Sequence, residues 1–245
     1  MIEQTVDIPT RDGRTTTFVV HPERDGPHPL IVFFMDAPAI REELRDMARR
    51  LATAGYYVML PNLYYRRGVM ELADLPPLPE DKARERMFDL MGSLSIPLVM
   101  ADADALLAYA ARDPACSPGK AGAVGYCMSG QYAINLAARH PERFAAAASI
   151  YGVQLVTDQP DSPHLVADRA RGELYFACAE TDRWAPLEMV EALDAALRER
   201  AVRAEVELYP GVEHGFAFPQ RAAYDKQAAE RHWERLLSLF QRNLS

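Results

Sequence analysis

The chain has 245 residues, 49% of them hydrophobic and 25% charged, with a formal net charge of −8. That composition belongs to a globular protein able to bury a full core, expected here as one domain over residues 1–245. An acidic balance without a basic cluster argues against nucleic acid or an anionic membrane as partner, and no apolar stretch reaches membrane-spanning length.

Glu3–Ile8 and Thr15–His21 read as strands around an Asp12-Gly13 turn. A proline-punctuated loop, Pro22 to Pro29, leads to the apolar strand Leu30–Met35. Ile40–Ala54 has helical periodicity through Leu44, Met47, Ala48 and Leu51 and stops at Gly55. Tyr57–Leu60 is a second apolar strand. Arg66–Pro79, with Pro76, Pro77 and Pro79, reads as a surface excursion. Asp81–Met91 and Ile96–Ala111 are helical, Ala121–Val124 is a strand and Ser129–Arg139 a helix. Phe144–Tyr151 is the next strand, and 154–169 a loop with a possible short helix. Glu173–Ala179 is a strand, and Pro186–Arg200 a helix opened by proline. Arg203–Tyr209 alternates, setting Val206 and Leu208 apart from Arg203, Glu205 and Glu207. Arg221–Arg242 is a long helix with Trp233, Leu236, Leu237 and Phe240 on its apolar side. Strands alternating with helices imply an α/β fold with a mainly parallel central sheet flanked by helices on both faces, its functional groups beyond the carboxyl ends of the strands.

At one such end lies Gly125-Tyr126-Cys127-Met128-Ser129-Gly130. A strand that turns sharply into a helix with a nucleophile at the apex is the nucleophile elbow of α/β-hydrolases, here with a thiol. An acid after a later strand, Asp182, and a histidine after the next, His214, complete the order nucleophile, acid, base. In such a set His214 takes the thiol proton and Asp182 fixes its tautomer. The developing oxyanion needs donors, expected from the backbone N–H groups of Met128 and Ala37. Glu180 and Asp158 compete with Asp182 for the acid. Ser129, Ser93 and Ser95 lack the elbow context. His21, His28, His140, His164 and His232 read as surface or turn residues, and no pair has zinc-ligand spacing, so no metal is expected. Cys116 reads as a loop residue and Cys178 as a buried strand residue. Three scattered cysteines do not suggest a disulfide framework, and Met1-Ile-Glu-Gln-Thr is not a signal peptide. A reducing, cytoplasmic setting is expected, with a small molecule as partner and a monomer or small homo-oligomer as the working form.

These motifs resemble the dienelactone hydrolases (carboxymethylenebutenolidases). The resemblance rests on Gly125 to Gly130, on Glu180-Thr181-Asp182 and on Gly211-Val212-Glu213-His214-Gly215-Phe216, with Pro61-Asn62-Leu63-Tyr64 and Tyr151-Gly152 as further matching segments. It implies a cofactor-independent Cys-His-Asp hydrolase of lactones or esters that works through an acyl-thioester. Members of that family carry a glutamate beside the resting thiol, and Asp36 stands in that place. They also hold a substrate carboxylate with arginines, one shortly after the histidine, where this chain has Phe218. Arg84 and Arg86 lie near the other position, with Arg66 and Arg67 as further options. Tyr64, Tyr151, Trp184, Phe216 and Phe218 imply a more aromatic pocket. Two other readings are a redox-responsive protein using Cys127 as a sensor thiol, and an esterase or thioesterase with an unrelated substrate.

Overall fold

The computed structural model describes residues 1–244; Ser245, the last residue of the expected domain, lies outside them. The backbone gathers into two compact units, Met1–Pro118 and Gly119–Ser245.

The first unit opens with a hairpin. Strands β1 (Ile2–Thr10) and β2 (Gly13–His21) pair antiparallel from Ile2 opposite His21 to Thr10 opposite Gly13. β3 (Leu30–Phe34) and β4 (Tyr57–Pro61) are parallel, and β4 also pairs antiparallel with β2, giving the order β1-β2-β4-β3. Every residue of β3 and β4 is buried, as their unbroken apolar sequences require of parallel strands covered on both faces. Helix α1 (Glu42–Thr53) buries Leu44, Met47, Ala48 and Leu51 at the spacing of one helical face. The proline-rich excursion carries only two single 3₁₀ turns before α2 (Glu80–Gly92) and α3 (Ile96–Ala110). Ser95 caps α3 by accepting the Leu98 N–H. His21 and His28, expected at the surface, are buried here, with His21 stacked on Tyr57. Cys116 does lie in a loop, yet it is buried.

The second unit is built from four parallel strands in sequential order: β5 (Ala121–Tyr126), β6 (Phe144–Ile150), β7 (Glu173–Thr181) and β8 (Ala204–Glu213). Helix α4 (Gly130–Arg139) connects β5 to β6. The short α5 (Pro163–Val166) lies in the β6–β7 connection, α6 (Leu187–Glu199) joins β7 to β8, and α7 (Lys226–Leu244) packs on β5, β6 and β7. No single helix among the described residues is long and apolar enough to cross a membrane.

β8 keeps the expected alternation at Glu205, which is exposed, and Val206, which is half-buried, but departs from it further on. Leu208 is 42% exposed, whereas Glu207 and Tyr209 are buried. The burial of a carboxylate is explained by its partners. Tyr175 donates its hydroxyl proton to Glu207 at 2.7 Å, and Arg231 and Arg235 reach down from α7 to the same group. Burial alone would raise the Glu207 pKa, but these donors overcome it and hold the carboxyl below its usual range. His232, another expected surface histidine, is fully buried on α7.

Candidate active site

The turn after β5 is set by glycine and by one strained cysteine. Tyr126 is extended, Cys127 has φ 55°, and a single 3₁₀ turn from Cys127 to Ser129 precedes α4. A side chain on a β-carbon is strained at positive φ, and such strain concentrates at functional sites. The tightness of the turn explains Gly125: a Cβ there would stand 2.0 Å from the Ser129 carbonyl oxygen. Gly130 is needed for a different reason, because its Cβ would meet Ser149 Oγ at 2.2 Å and Gly152 Cα at 2.7 Å. Gly130 thereby lets α4 approach β6. The loop after β6 is tied to the same turn. Val153 N–H donates to the Cys127 carbonyl at 3.1 Å, and Gln131 Nε2 donates both to the Met128 carbonyl at 2.9 Å and to Gln154 Oε1 at 3.1 Å.

No disulfide joins the three cysteines; Cys116 and Cys178 are buried and Cys127 is half-buried. Cys178 sits inside β7, where burial first and the charge of Asp182 second push its thiol up to about 12. Such a thiol is inert at neutral pH, so the accessible sulfur is that of Cys127.

Asp182 is the first residue after β7, with no side-chain exposure. Its Oδ1 accepts from the backbone N–H groups of Trp184 at 2.8 Å and Ala185 at 3.1 Å. Its Oδ2 accepts from His214 Nδ1 at 2.6 Å. His214 is the first residue after β8 and is 13% exposed in its side chain. Burial would depress its pKa, but the hydrogen bonds to Asp182 and then to Cys127, with the charges of both, raise it to about 9. The ring is thus bonded at Nδ1 to a fixed carboxylate, and its interaction with Cys127 adds to the raised pKa. Glu180 is engaged elsewhere, accepting the Gly211 N–H at 2.8 Å, and Asp158 is exposed in the β6–β7 loop.

Aromatic side chains surround this pair. Tyr151, itself at φ 36°, sets its ring edge against His214 with centroids 4.9 Å apart, and Phe216 and Phe218 pack on Tyr151. Trp184 is 43% exposed, with the Arg183 guanidinium 4.6 Å above it. Arg221 escaped the sequence reading. It lies seven residues beyond His214, but the chain folds back so that its Cδ is 3.0 Å from where a Cβ on Gly215 would be. Its guanidinium covers Phe218 at 5.2 Å.

The remaining candidates belong to the first unit. Asp36 is fully buried and takes two bonds from Arg41, at 2.6 and 3.2 Å; Arg41 also binds Glu43. Arg41 itself occupies the N-cap of α1. Ala37 is buried, and its carbonyl accepts the hydroxyl of the buried Tyr64 at 2.9 Å. Arg84 is exposed and paired with Glu80 along α2, while Arg86 donates to the Pro76 carbonyl. Arg66 is pinned by Asp102 and Asp12, and Arg67 by Asp89. Among the described residues no group of three or more His, Cys, Asp or Glu side chains is placed to hold a metal ion.

Comparison with known proteins agrees with this layout. The model of the dienelactone hydrolase family matches residues 15–244. A protein of Synechocystis sp. provisionally named carboxymethylenebutenolidase is 28% identical over 242 residues, covering 98% of this chain and 96% of that one. The crystal structure of a provisionally named dienelactone hydrolase from Klebsiella pneumoniae superposes with a TM-score of 0.87 at 27% identity, covering 98% of both chains. The likeness to an acylaminoacyl peptidase of Pyrococcus horikoshii, with a TM-score of 0.73 at 15% identity over 99% of this chain, is one of fold alone. With its mainly parallel sheet flanked by helices, the chain has the α/β-hydrolase fold and belongs to the dienelactone hydrolase family, hydrolases of lactone and ester bonds.

Proposed function

We propose that this protein hydrolyses a carboxylic ester or lactone through Cys127, His214 and Asp182, by way of an acyl-thioester on Cys127. The observation that carries the proposal is the 2.6 Å hydrogen bond between His214 Nδ1 and Asp182 Oδ2, with Cys127 among the groups that raise the pKa of the ring. The Asp182 carboxylate can only accept, so Nδ1 carries a proton and Nε2 faces the chemistry. A pKa of about 9 keeps the ring an imidazolium at neutral pH. That form suits a thiolate nucleophile, since the positive ring stabilises the sulfur anion.

In this scheme the thiolate adds to the carbonyl carbon, forming an S–C bond and an oxyanion. The N–H of Met128, next after the nucleophile, is the donor assigned to that oxyanion. The C–O bond then breaks, and the leaving alkoxide takes the Nε2 proton of His214. For a lactone the released hydroxyl stays attached to the acyl group, so ring opening releases nothing. Water, losing a proton to His214, next attacks the thioester. The C–S bond breaks, the carboxylic acid departs, and the thiolate–imidazolium pair is restored. No cofactor enters this sequence of steps.

The full span of the family match supports treating the chain as one catalytic domain. Three cysteines without a disulfide suit a reducing compartment such as the cytoplasm, where a thiol nucleophile stays usable. The test is alkylation. Iodoacetamide is expected to label Cys127 ahead of Cys116 and Cys178, with loss of ester hydrolysis in step with labelling. Full activity after complete labelling of Cys127 would overturn the proposal.

A further inference from the structure

His232 is a buried polar group with no part in the chemistry above. Its side chain has no exposure, and from α7 it meets Tyr126, the last residue of β5. Nδ1 faces the Ala229 carbonyl at 2.5 Å; a carbonyl only accepts, so Nδ1 holds the proton. In the neutral ring Nε2 is then an acceptor, and the Tyr126 hydroxyl stands 3.0 Å from it, donating. Tyr126 immediately precedes Cys127 and is fully buried. An apolar side chain could fill this space without burying a polar ring, so the imidazole has a purpose beyond packing.

That purpose follows from what Tyr126 touches. Its hydroxyl lies at the far end of the ring axis, so fixing the oxygen fixes the direction in which the ring points. The ring meets Tyr151 at 6.0 Å and Phe218 at 5.3 Å. His232 itself meets Phe216 at 6.3 Å. Phe216 in turn contacts Tyr151 at 5.2 Å, and Tyr151 sets its edge on His214 at 4.9 Å. Tyr151 is therefore held by rings that depend on one buried hydrogen bond, and Tyr151 is the wall against which His214 rests.

We infer that His232 is a positioning residue for His214, acting through the Tyr126 hydroxyl and the Tyr151 ring. This rests on the hydrolytic reading of Cys127, His214 and Asp182. Losing one net hydrogen bond of this kind lowers kcat by about three- to tenfold when the bond is felt only in the transition state. The expected results are such a fall in kcat, with KM unchanged, in Tyr126→Phe and in His232→Phe. The double variant is expected to be no worse than either single, because both remove the same bond. His232→Gln keeps an acceptor on a shorter reach and is expected to recover part of the loss. Tyr126→Phe removes a single oxygen and keeps the ring, so it guards against a His232 variant that fails to fold. Rates are normalised to Cys127 thiol that can be alkylated, which separates lost positioning from lost protein. Wild-type kcat in Tyr126→Phe, beside an inactive Cys127→Ala, overturns this inference and leaves the hydrolytic reading standing. Turnover retained in Cys127→Ala defeats the hydrolytic reading and this inference with it.

Discussion

Asp182 holds His214 from below at 2.6 Å while itself taking the N–H groups of Trp184 and Ala185. The carboxylate is thus fixed by backbone before it fixes the ring. Its removal is expected to free the imidazole to adopt the other tautomer. Asp182→Asn is predicted to lower kcat/KM by about 10²- to 10³-fold, less than the roughly 10⁴ of a serine protease, because a thiol depends less on its base. Glu180→Gln serves as the control, since Glu180 binds Gly211 instead. Steady-state kinetics on an aryl ester checks both, and a larger loss in Glu180→Gln would transfer the role of acid to Glu180.

The raised pKa of His214 has a defined sign for stability. A ring that titrates at about 9 in the folded chain, against 6.5 as the ordinary value, stabilises the fold fully below about pH 6.5. That contribution drains away as pH climbs through about 9. Urea melts of wild type and His214→Gln between pH 6.5 and 9.5 are expected to converge at the alkaline end. In the proposed scheme the same deprotonation removes the acid that protonates the leaving group, so kcat is predicted to fall along an alkaline limb near pH 9. A flat profile from pH 8 to 10 would contradict the assignment of the imidazolium as the resting form.

The elbow's glycine makes a sharper structural prediction. A Cβ on Gly125 would stand 2.0 Å from the Ser129 carbonyl oxygen and 2.5 Å from its carbon, and backbone cannot swing aside as a side-chain tip can. Gly125→Ala is predicted to destabilise by more than about 2 kcal/mol and to abolish turnover. Cys127→Ala changes no packing of that kind and is expected to melt within a few degrees of wild type. Thermal unfolding followed by circular dichroism distinguishes the two.

On β8 the prediction concerns which face is buried. Glu207→Ala leaves the Tyr175 hydroxyl with Tyr209 as its remaining partner and strips α7 of the group its arginines hold. The expected cost is about 1–3 kcal/mol. Leu208→Ala removes an exposed side chain and is predicted to cost less than about 0.5 kcal/mol. The reverse ranking in urea melts would restore the alternation expected from the sequence alone.

That strand illustrates where the sequence stops being legible. Val206 and Leu208 are apolar and Glu207 is charged, so local pattern places the leucine inside. Which face is covered depends on α7, whose Arg231 and Arg235 meet Glu207 from residues distant in the chain. The elbow was legible for the opposite reason, because an apolar strand, Gly125 and Cys127 are contiguous and the turn's constraint is local. The choice of Asp182 over Glu180 turned on where β7 ends. It runs to Thr181 rather than Ala179, which makes Asp182 the first residue beyond the strand. His232 had a usable signal. Ala229, Leu236 and Leu239 recur about it at helical spacing, so it lies on a buried stripe beside Trp233. Arg221 had none, since only the folded loop brings it back over Gly215.

The most direct measurement is capture of the acyl-enzyme. Wild type mixed with an activated aryl ester and quenched in acid within one turnover is expected to gain the mass of one acyl group. Peptide mapping should place that group on Cys127, hydroxylamine should remove it, and Cys127→Ala should show neither adduct nor turnover. An adduct on another residue, or undiminished hydrolysis by Cys127→Ala, would contradict the account.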